Sequence, residues 1–349
     1  MSKLQWSDLK DNMGIRKTSA RSSLNARLTQ ASLESAKGIS TAVAAATSLG
    51  TVVASGGTQS NLSINGTNYR VHTFATSANL VVTTGGNVDL LVVGAGGSAR
   101  GWINALNYGS SGGGGGGGVL LYGAYEQSRA GGGPIYLDGA NTYTITIGAG
   151  GPGTANNYVS APQLGRDGGN TIFAGGVLNL IAYGGRISSV IISSDGALGG
   201  NAAMLPFVSN QGYRGGFRGT IGTTQVGSGG GGGAGGAGES GANYPAHFGG
   251  TFNGGPGIAS TISGTWSGYG GGGGGGSHNW SATSFLYVGK GGFGGGGNAG
   301  GNAFIIANAG NVNTGGGGGG ASSRAASSIL DRSPAGAGGS GIVIVRYVV

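Results

Sequence analysis

Apolar and polar residues alternate from Thr51 onward, first in TVVAS, then in NLSINGTNYRVHTF, then in ANLVVTTGGNVDLLVVGAGG. A period of two puts alternate side chains on one face, so these segments predict β-strands. Asn65-Gly66, set between two such runs, predicts a two-residue hairpin because both residues accept positive φ. Gly85-Gly86 predicts a second turn. Upstream the period differs. Over residues 1–48 apolar residues recur at three- and four-residue spacing without proline, which predicts helix broken near Gly14 and Gly38. The chain therefore divides into an N-terminal helical segment (1–48), a small antiparallel β unit (49–95) and a glycine-rich remainder (96–349).

In that remainder short β-branched bursts alternate with glycine tracts, among them Gly112–Gly118, Gly229–Gly233, Gly270–Gly276, Gly294–Gly297 and Gly315–Gly320. Any one tract in isolation reads as a flexible linker. Extended polyglycine has an ordered alternative, a threefold helix similar to polyproline II with about 3.1 Å rise and no internal hydrogen bonds. Its N–H and C=O groups must pair with neighbouring rods, since buried backbone groups are nearly always satisfied. Only glycine lets rods approach that closely on every side. The expected fold class is mainly β with packed polyglycine II helices, a glycine-rich sandwich, preceded by a short N-terminal α-helical segment.

Direction follows from the order of strands and tracts. LLVVGAGG, YTITIGAGG and LIAYGG put a strand before a tract, whereas GGGGGGGVLLYGAY and GGSGIVIVRY put it after one. With the strands as a common base, tracts run alternately out and back. Residues 101–111, 154–164, 186–198, 239–248, 277–288 and 321–335 then fall at the far tip, and 302–314 and the terminal IVIVRYVV fall at the base. Residues 201–226 take no assignment, because only Gly199-Gly200 precede them. The tip segments carry Trp102, Tyr108, Tyr158, Tyr244, His247, Phe248, His278, Trp280, Phe285 and Tyr287. Aromatic residues with a polar edge are common binding anchors and suit carbohydrate or protein surfaces, which makes this set the candidate binding residues; covering the bundle end is the alternative use of each.

Composition narrows the chemistry. The chain has 88 glycines in 349 residues but only 7 prolines and no Gly-X-Y period, which excludes collagen. Without cysteine there is no disulfide framework and no thiolate metal site. His72, His247 and His278 sit in no HExxH context, and the ten carboxylates are dispersed. Neither a metal site nor an acid/base pair is indicated, so enzyme activity, metal and cofactor are not expected. Matches to GxGxxG arise from composition alone, and Lys290 is followed by Gly291 rather than by the Ser or Thr of a phosphate loop.

Net charge is +8, and residues 1–50 hold seven Lys/Arg against three Asp/Glu, hence +4, half of the total. These cations are interspersed with Leu4, Trp6, Leu9, Leu24, Leu28 and Leu33, a pattern that favours docking on a protein over nucleic acid. Leu4, Trp6, Leu9, Arg16, Lys17 and Arg21 are the candidate attachment residues. The stretch from Gly38 to Ser55 is too polar for membrane insertion.

YRVHTF, VDLLVVGAGG, YTITIGAGG, TGGGGGG and GGSGIVIVRY, in this order, resemble the glycine-rich domain of phage tail fibres and related virion proteins, frequent in marine phages. The resemblance spans roughly residues 68–347. The architecture is also similar to the polyglycine II sandwich of the tail-tip adhesins of some T-even-like phages, whose loops between tracts contact the bacterial surface. It implies a virion location and, as partners, a bacterial surface receptor (polysaccharide or outer-membrane protein) and further copies of the chain in a trimer; the N-terminal segment has no counterpart in the resemblance, and another virion protein as its partner is expected from its helical periodicity, Trp6 and charge. No receptor-contacting residue carries over individually, because such loops share no motif. A structural virion component, such as a head fibre or decoration protein, and a cellular secreted glycine-rich protein are the alternatives.

Overall fold

The computed structural model describes residues 51–100, 110–123, 130–154, 165–188, 210–217, 219–221, 225–240, 252–279, 288–301, 306–324 and 333–349. The helix expected over 1–48 lies outside them, and no helix occurs among the described residues. The alternating segments form β1 (Val53–Ser55), β2 (Thr58–Ile64), β3 (Thr67–Phe74), β4 (Ala78–Thr84) and β5 (Gly86–Val93). Asn65 and Gly66 have φ of 50° and 82°, and Ile64 pairs with Thr67 across the expected two-residue hairpin. Gly85-Gly86, by contrast, closes no hairpin, because β4 and β5 belong to different sheets. Gly85 serves the crossing: a Cβ there would meet Gly139 N and Leu137 O at 2.6 Å.

Further strands follow between the tracts: β6 (Val119–Tyr122), β7 (Gly131–Gly132), β8 (Ile135–Leu137), β9 (Asn141–Thr146), β10 (Thr171–Gly175) and β11 (Leu178–Ala182). Short ladders use β12 (Gly219–Ile221), β13 (Gln225–Gly227), β14 (Ile258–Ser260), β15 (Ser267–Tyr269), β16 (Ser277–Asn279) and β17 (Ser323–Arg324), before β18 (Ile342–Val348). The order β1-β4-β9-β10-β11 makes one sheet, and β2-β3-β18-β5-β6-β7, with β8 on β5, makes another. Strands from both sides of residue 95 thus build both sheets. The two pack face to face over Phe74, Leu80, Leu90, Val92, Tyr143, Ile145, Phe173, Val343 and Val345, all buried.

The second sheet is covered on its other face as well. Val71, Leu91, Val93, Leu121 and Ile344 pack there against Ile262 and Tyr269 of the β14–β15 hairpin. This explains why LLVV and IVIV lack alternation: strands buried on both faces carry continuous apolar runs. Arg346 faces Asp89 in the β18–β5 register, and its Nε and Nη2 both donate to Asp89 Oδ2 at 3.0 and 2.7 Å. Its Nη1 donates to Thr261 O, which ties the hairpin to the sheet. Removing one partner of such a buried pair commonly costs about 3–5 kcal/mol, because the other charge stays buried.

His72 on β3 is fully buried. One ring nitrogen, Nδ1, donates to Gly56 O at 2.7 Å, and Nε2 accepts the Tyr347 hydroxyl at 2.8 Å. Both bonds suit a neutral ring. Burial, opposed by the Gly56 bond and aided by the Arg70 charge, lowers the imidazole pKa below its ordinary value.

From the strand ends the chain enters glycine tracts whose hydrogen bonds leave the tract altogether. Gly113 and Gly116 donate to Gly229 and Gly232, Gly114 and Gly117 to Gly318 and Gly315, and Gly115 and Gly118 to Arg186 and Tyr183. The partner therefore repeats every three residues, and one tract is bonded to three others. Gly271 to Gly276 repeat the pattern: 271 and 274 bond to Gly294 and Gly297, 272 and 275 to Gly255 and Phe252, 273 and 276 to Gly114 and Ser111. At these contacts there is no room for a side chain. A Cβ on Gly273 would overlap Gly318 O, a backbone atom held on both sides.

Two outcomes are expected. Gly273→Ala should lose about 3 kcal/mol of stability, at the upper end of what overpacking costs, whereas Gly133→Ala, with open space around its Cβ, should stay within about 0.5 kcal/mol of wild type. Urea denaturation of the two variants measures this. Acidification should also destabilise the fold. The unfolded chain takes up a proton on His72 near pH 6.5 while the folded protein does not, so stability falls from about pH 7 down to the lowered folded pKa and levels off below it. Melting temperatures of wild type and His72→Gln across pH 7.5–5 test the assignment, the variant showing the shallower slope.

Candidate functional site

The tracts have two ends, and side-chain hydroxyls accept amides at both, as Thr171 Oγ1 does from Gly148 and Ser340 Oγ from Asn313 at the base. At the base they run into the sheets, with Gly94 donating to Gly118 O and Gly118 to Tyr183 O. At the opposite end hydroxyls take over from carbonyls as partners. Ser277 N–H donates to Ser322 Oγ and Ser322 N–H to Ser333 Oγ, both at 2.9 Å; Ala321 N–H donates to Ser111 Oγ at 2.7 Å, and Ala335 N–H to Thr154 Oγ1 at 2.9 Å. Ser110 and Ser228 share a hydroxyl bond. A tract that ends leaves its neighbours' amides without an acceptor, and a short hydroxyl side chain fills that gap. Ser188, Ser228, Ser277, Ser322 and Ser333 are all buried in this layer, and the Ser277 Oγ is itself without a hydrogen-bond partner.

Beyond the hydroxyls lies a four-stranded sheet in the order β12-β13-β16-β17. Val226 pairs with His278 across β13–β16, and His278 pairs with Ser323 in parallel across β16–β17. Three separate excursions of the chain are thereby fastened together at the tip.

Of the aromatic set, His278 has its backbone in β16, in the middle of this sheet. Trp102, Tyr108, Tyr158, Tyr244, His247, Phe248, Trp280, Phe285 and Tyr287 lie outside the described residues, as do Leu4, Trp6, Leu9, Arg16, Lys17 and Arg21. The described residues that bracket the aromatic segments can be placed. Ser98 and Arg100 meet Arg166 and Ser188, Glu239 meets Asn253, and Gly289 meets Gly275, each toward the hydroxyl end. Trp266 lies at the other end, beyond the β14–β15 ladder, where it stacks on Phe293 at 4.6 Å between ring centres.

Two segments depart from the expected order. Of the segment 302–314, expected at the base, the described residues 306–314 run along the bundle: Gly300 donates to Gly320 O, at the hydroxyl end, and Asn308 and Asn311 then donate to Asn298 O and Gly295 O on the way back. Parity misplaced this excursion because its outgoing tract, Gly294–Gly301, is interrupted by Asn298 and Ala299. Of residues 201–226, unassigned from sequence, the described ones (210–217, 219–221 and 225–226) can be placed. The Gln211 side chain caps the sheet end through Tyr183 N and Ile181 O, Tyr213 and Gly216 donate to Gly233 O and Gly230 O, and the chain reaches β12 at the tip. Phe217, exposed and covered by the Arg214 guanidinium at 5.1 Å, is therefore a tip aromatic that strand order did not reveal; the RGGFRG stretch holding a two-glycine tract was the available signal.

Charge at the tip is unequal. Arg100 is only 8% exposed, its N–H donates to Ser188 Oγ at 3.1 Å, and its Nε has no hydrogen-bond partner. Burial pulls this guanidinium below its usual pKa range. Elsewhere, a depression of about 420 Å³ lies on the β2–β3 edge beside Asn61, Asn68, Tyr69 and Arg70, where Arg70 Nη1 is held by Gln59 Oε1. Among the described residues no three His, Asp or Glu side chains gather as a metal site.

No curated protein matches the chain. A family model described as a glycine-rich domain matches residues 73–348, which takes in β4 to β18, the described tracts and the hydroxyl layer but leaves out β1, β2 and most of β3. The chain belongs to the glycine-rich domain family.

Proposed function

We propose that the tracts are polyglycine II rods and that the protein is a bacteriophage virion protein, a tail fibre or adhesin that binds the host cell surface through the loops at the tip. The three-residue repeat of hydrogen-bond partners supports the first part, since a threefold rod points successive amides at three neighbours in turn. The second part rests on one observation: successive excursions of the chain return to one end, where serines and a small sheet fasten them. A rigid scaffold that presents several unlike loops side by side is the usual build of a recognition surface. The aromatic content of those loops supplies anchors, and the basic, leucine-bearing N-terminal segment supplies the attachment to another virion protein. Among the alternatives, a structural virion component would use the same fold without a receptor.

Purified protein should block adsorption of the phage that encodes it. Trp280→Ala and Tyr244→Ala should each weaken attachment roughly thirtyfold, the effect of losing an aromatic hot spot of about 2 kcal/mol, with melting temperature nearly unchanged. Phe74→Ala, in the sandwich core, should do the reverse and lose about 3–5 kcal/mol of stability. If free protein leaves adsorption untouched, the receptor role fails and the structural reading takes its place. Deleting residues 1–48 should leave the glycine-rich domain folded by circular dichroism and abolish incorporation into particles.

A further inference from the structure

At the base end of the bundle Trp266 stands 67% exposed, and its neighbour Phe293 is 42% exposed. The two rings stack at 4.6 Å between centres with 29° between their planes. The loop that carries Trp266 is pinned at three points. Ile262 is buried in the core beneath the β14–β15 hairpin, Thr261 O accepts Arg346 Nη1, and Gly264 lies against the Leu62 side chain. Phe293 in turn rests on Gly268, where a Cβ would run into its ring at 2.5 Å. Both rings are therefore braced from behind and open in front.

The surroundings of this stack are polar and uncharged. Thr265 is exposed, and its Oγ1 lies 3.3 Å from Ser263 Oγ and 3.4 Å from Ser267 Oγ; with one proton and two lone pairs it keeps capacity for a ligand. Asn311 N–H donates to Gly295 O at 2.8 Å, which sets the exposed Asn311 and Val312 beside the turn that holds Phe293. Along the described residues 261–267, 291–296 and 306–315 there is no charged side chain, and the first one met before Phe293 is Lys290. The depression on the β2–β3 edge adjoins the same loop, because Leu62, against which Gly264 packs, forms one of its walls together with Asn61, Ser63, Asn68, Tyr69 and Arg70.

We propose that Trp266, braced by Phe293, is the stacking platform for one ring of a neutral oligosaccharide, whose next sugars enter the depression beside Leu62. The exposed fractions of the two rings leave roughly 250 Å² of aromatic surface, well short of the about 800 Å² that a stable protein partner, a second copy included, covers on each side. Nucleic-acid bases also stack on aromatic rings, but their phosphates call for a basic groove, and no cation lies along these segments. A pyranose has the complementary make-up: a face of C–H groups for the indole, and a rim of hydroxyls for Thr265, Asn311 and the amides of the depression. The site lies apart from the tip loops and does not rest on their role in adsorption.

The test is calorimetric titration of the full-length protein with neutral hexasaccharides of glucose, mannose, galactose and N-acetylglucosamine, the matching disaccharides, and a hexamer of galacturonate. At least one neutral hexasaccharide should bind saturably, and more tightly than its disaccharide. Trp266→Ala should weaken that binding roughly thirtyfold, the loss of an aromatic hot spot, with the melting temperature nearly unchanged because the ring is exposed. Trp266→Phe should retain part of it, Phe293→Ala should weaken it several-fold, and Trp280→Ala, in a tip segment, should leave it unaltered. No saturable binding by wild type, or binding that survives in Trp266→Ala, overturns the site; binding lost in Trp280→Ala but kept in Trp266→Ala moves the sugar to the tip and overturns it as well. Galacturonate bound as tightly as the best neutral hexasaccharide overturns the choice of a neutral ligand, and a disaccharide bound as tightly as the hexasaccharide overturns the part given to the depression. Sedimentation that shows concentration-dependent association in wild type and none in Trp266→Ala gives the platform to a second copy and overturns the sugar.

Discussion

In long glycine tracts such as Gly112–Gly118 and Gly270–Gly276 a backbone amide has no hydrogen-bond partner within its own segment, and much else in the bundle follows from that. An α-helix closes its bonds locally and a strand closes them with two neighbours, but a tract such as Gly112–Gly118 needs three. An isolated tract would stay unfolded, since fixing each residue costs roughly 1–2 kcal/mol of backbone entropy and glycine loses the most. Order is therefore collective. The same requirement forbids side chains, because every direction around the tract is occupied by another backbone, as the place of Gly273 against Gly318 illustrates.

Something else must set which tracts meet, and the two packed sheets do so. Their apolar layers contain most of the large buried side chains, with Phe74, Tyr143 and Phe173 fully buried between them, whereas Phe252 is the large one fully buried among the described tracts. β18 enters between β3 and β5 and locks its register with the Arg346–Asp89 pair. Each strand that ends at the base delivers its tract at a defined position and height. The hydrophobic effect and backbone hydrogen bonding thus act in different halves of one molecule, the first choosing the arrangement and the second extending it.

The far end inherits this order. Serines and Thr154 complete the amides that the tracts leave open, and the β12-β13-β16-β17 sheet ties excursions that are distant in sequence. Loops held this way can vary without disturbing the scaffold, since the residues that pair lie in the tracts and the hydroxyl layer. That separation between constant support and variable tip is what the proposed recognition role draws on.

Period-two alternation, the Asn65-Gly66 hairpin and the need for glycine tracts to pair with one another were all legible in the sequence, because each is local chemistry: side-chain direction in a strand, tolerance of positive φ, and absence of a Cβ. Out-and-back parity also followed, wherever a tract was continuous. What only the tertiary structure decided was partnership. Glycine has no side chain with which to specify a neighbour, so nothing in Gly112–Gly118 names Gly229, Gly318 and Arg186 as its partners. The sheet order, the crossing at Gly85, the outward path at Gly300, the tip position of Phe217 and the meeting of Arg100 with Ser188 all depend on contacts between segments far apart in the chain. Those contacts are chosen by how the apolar faces of the strands pack, a property of the assembled sandwich rather than of any one segment.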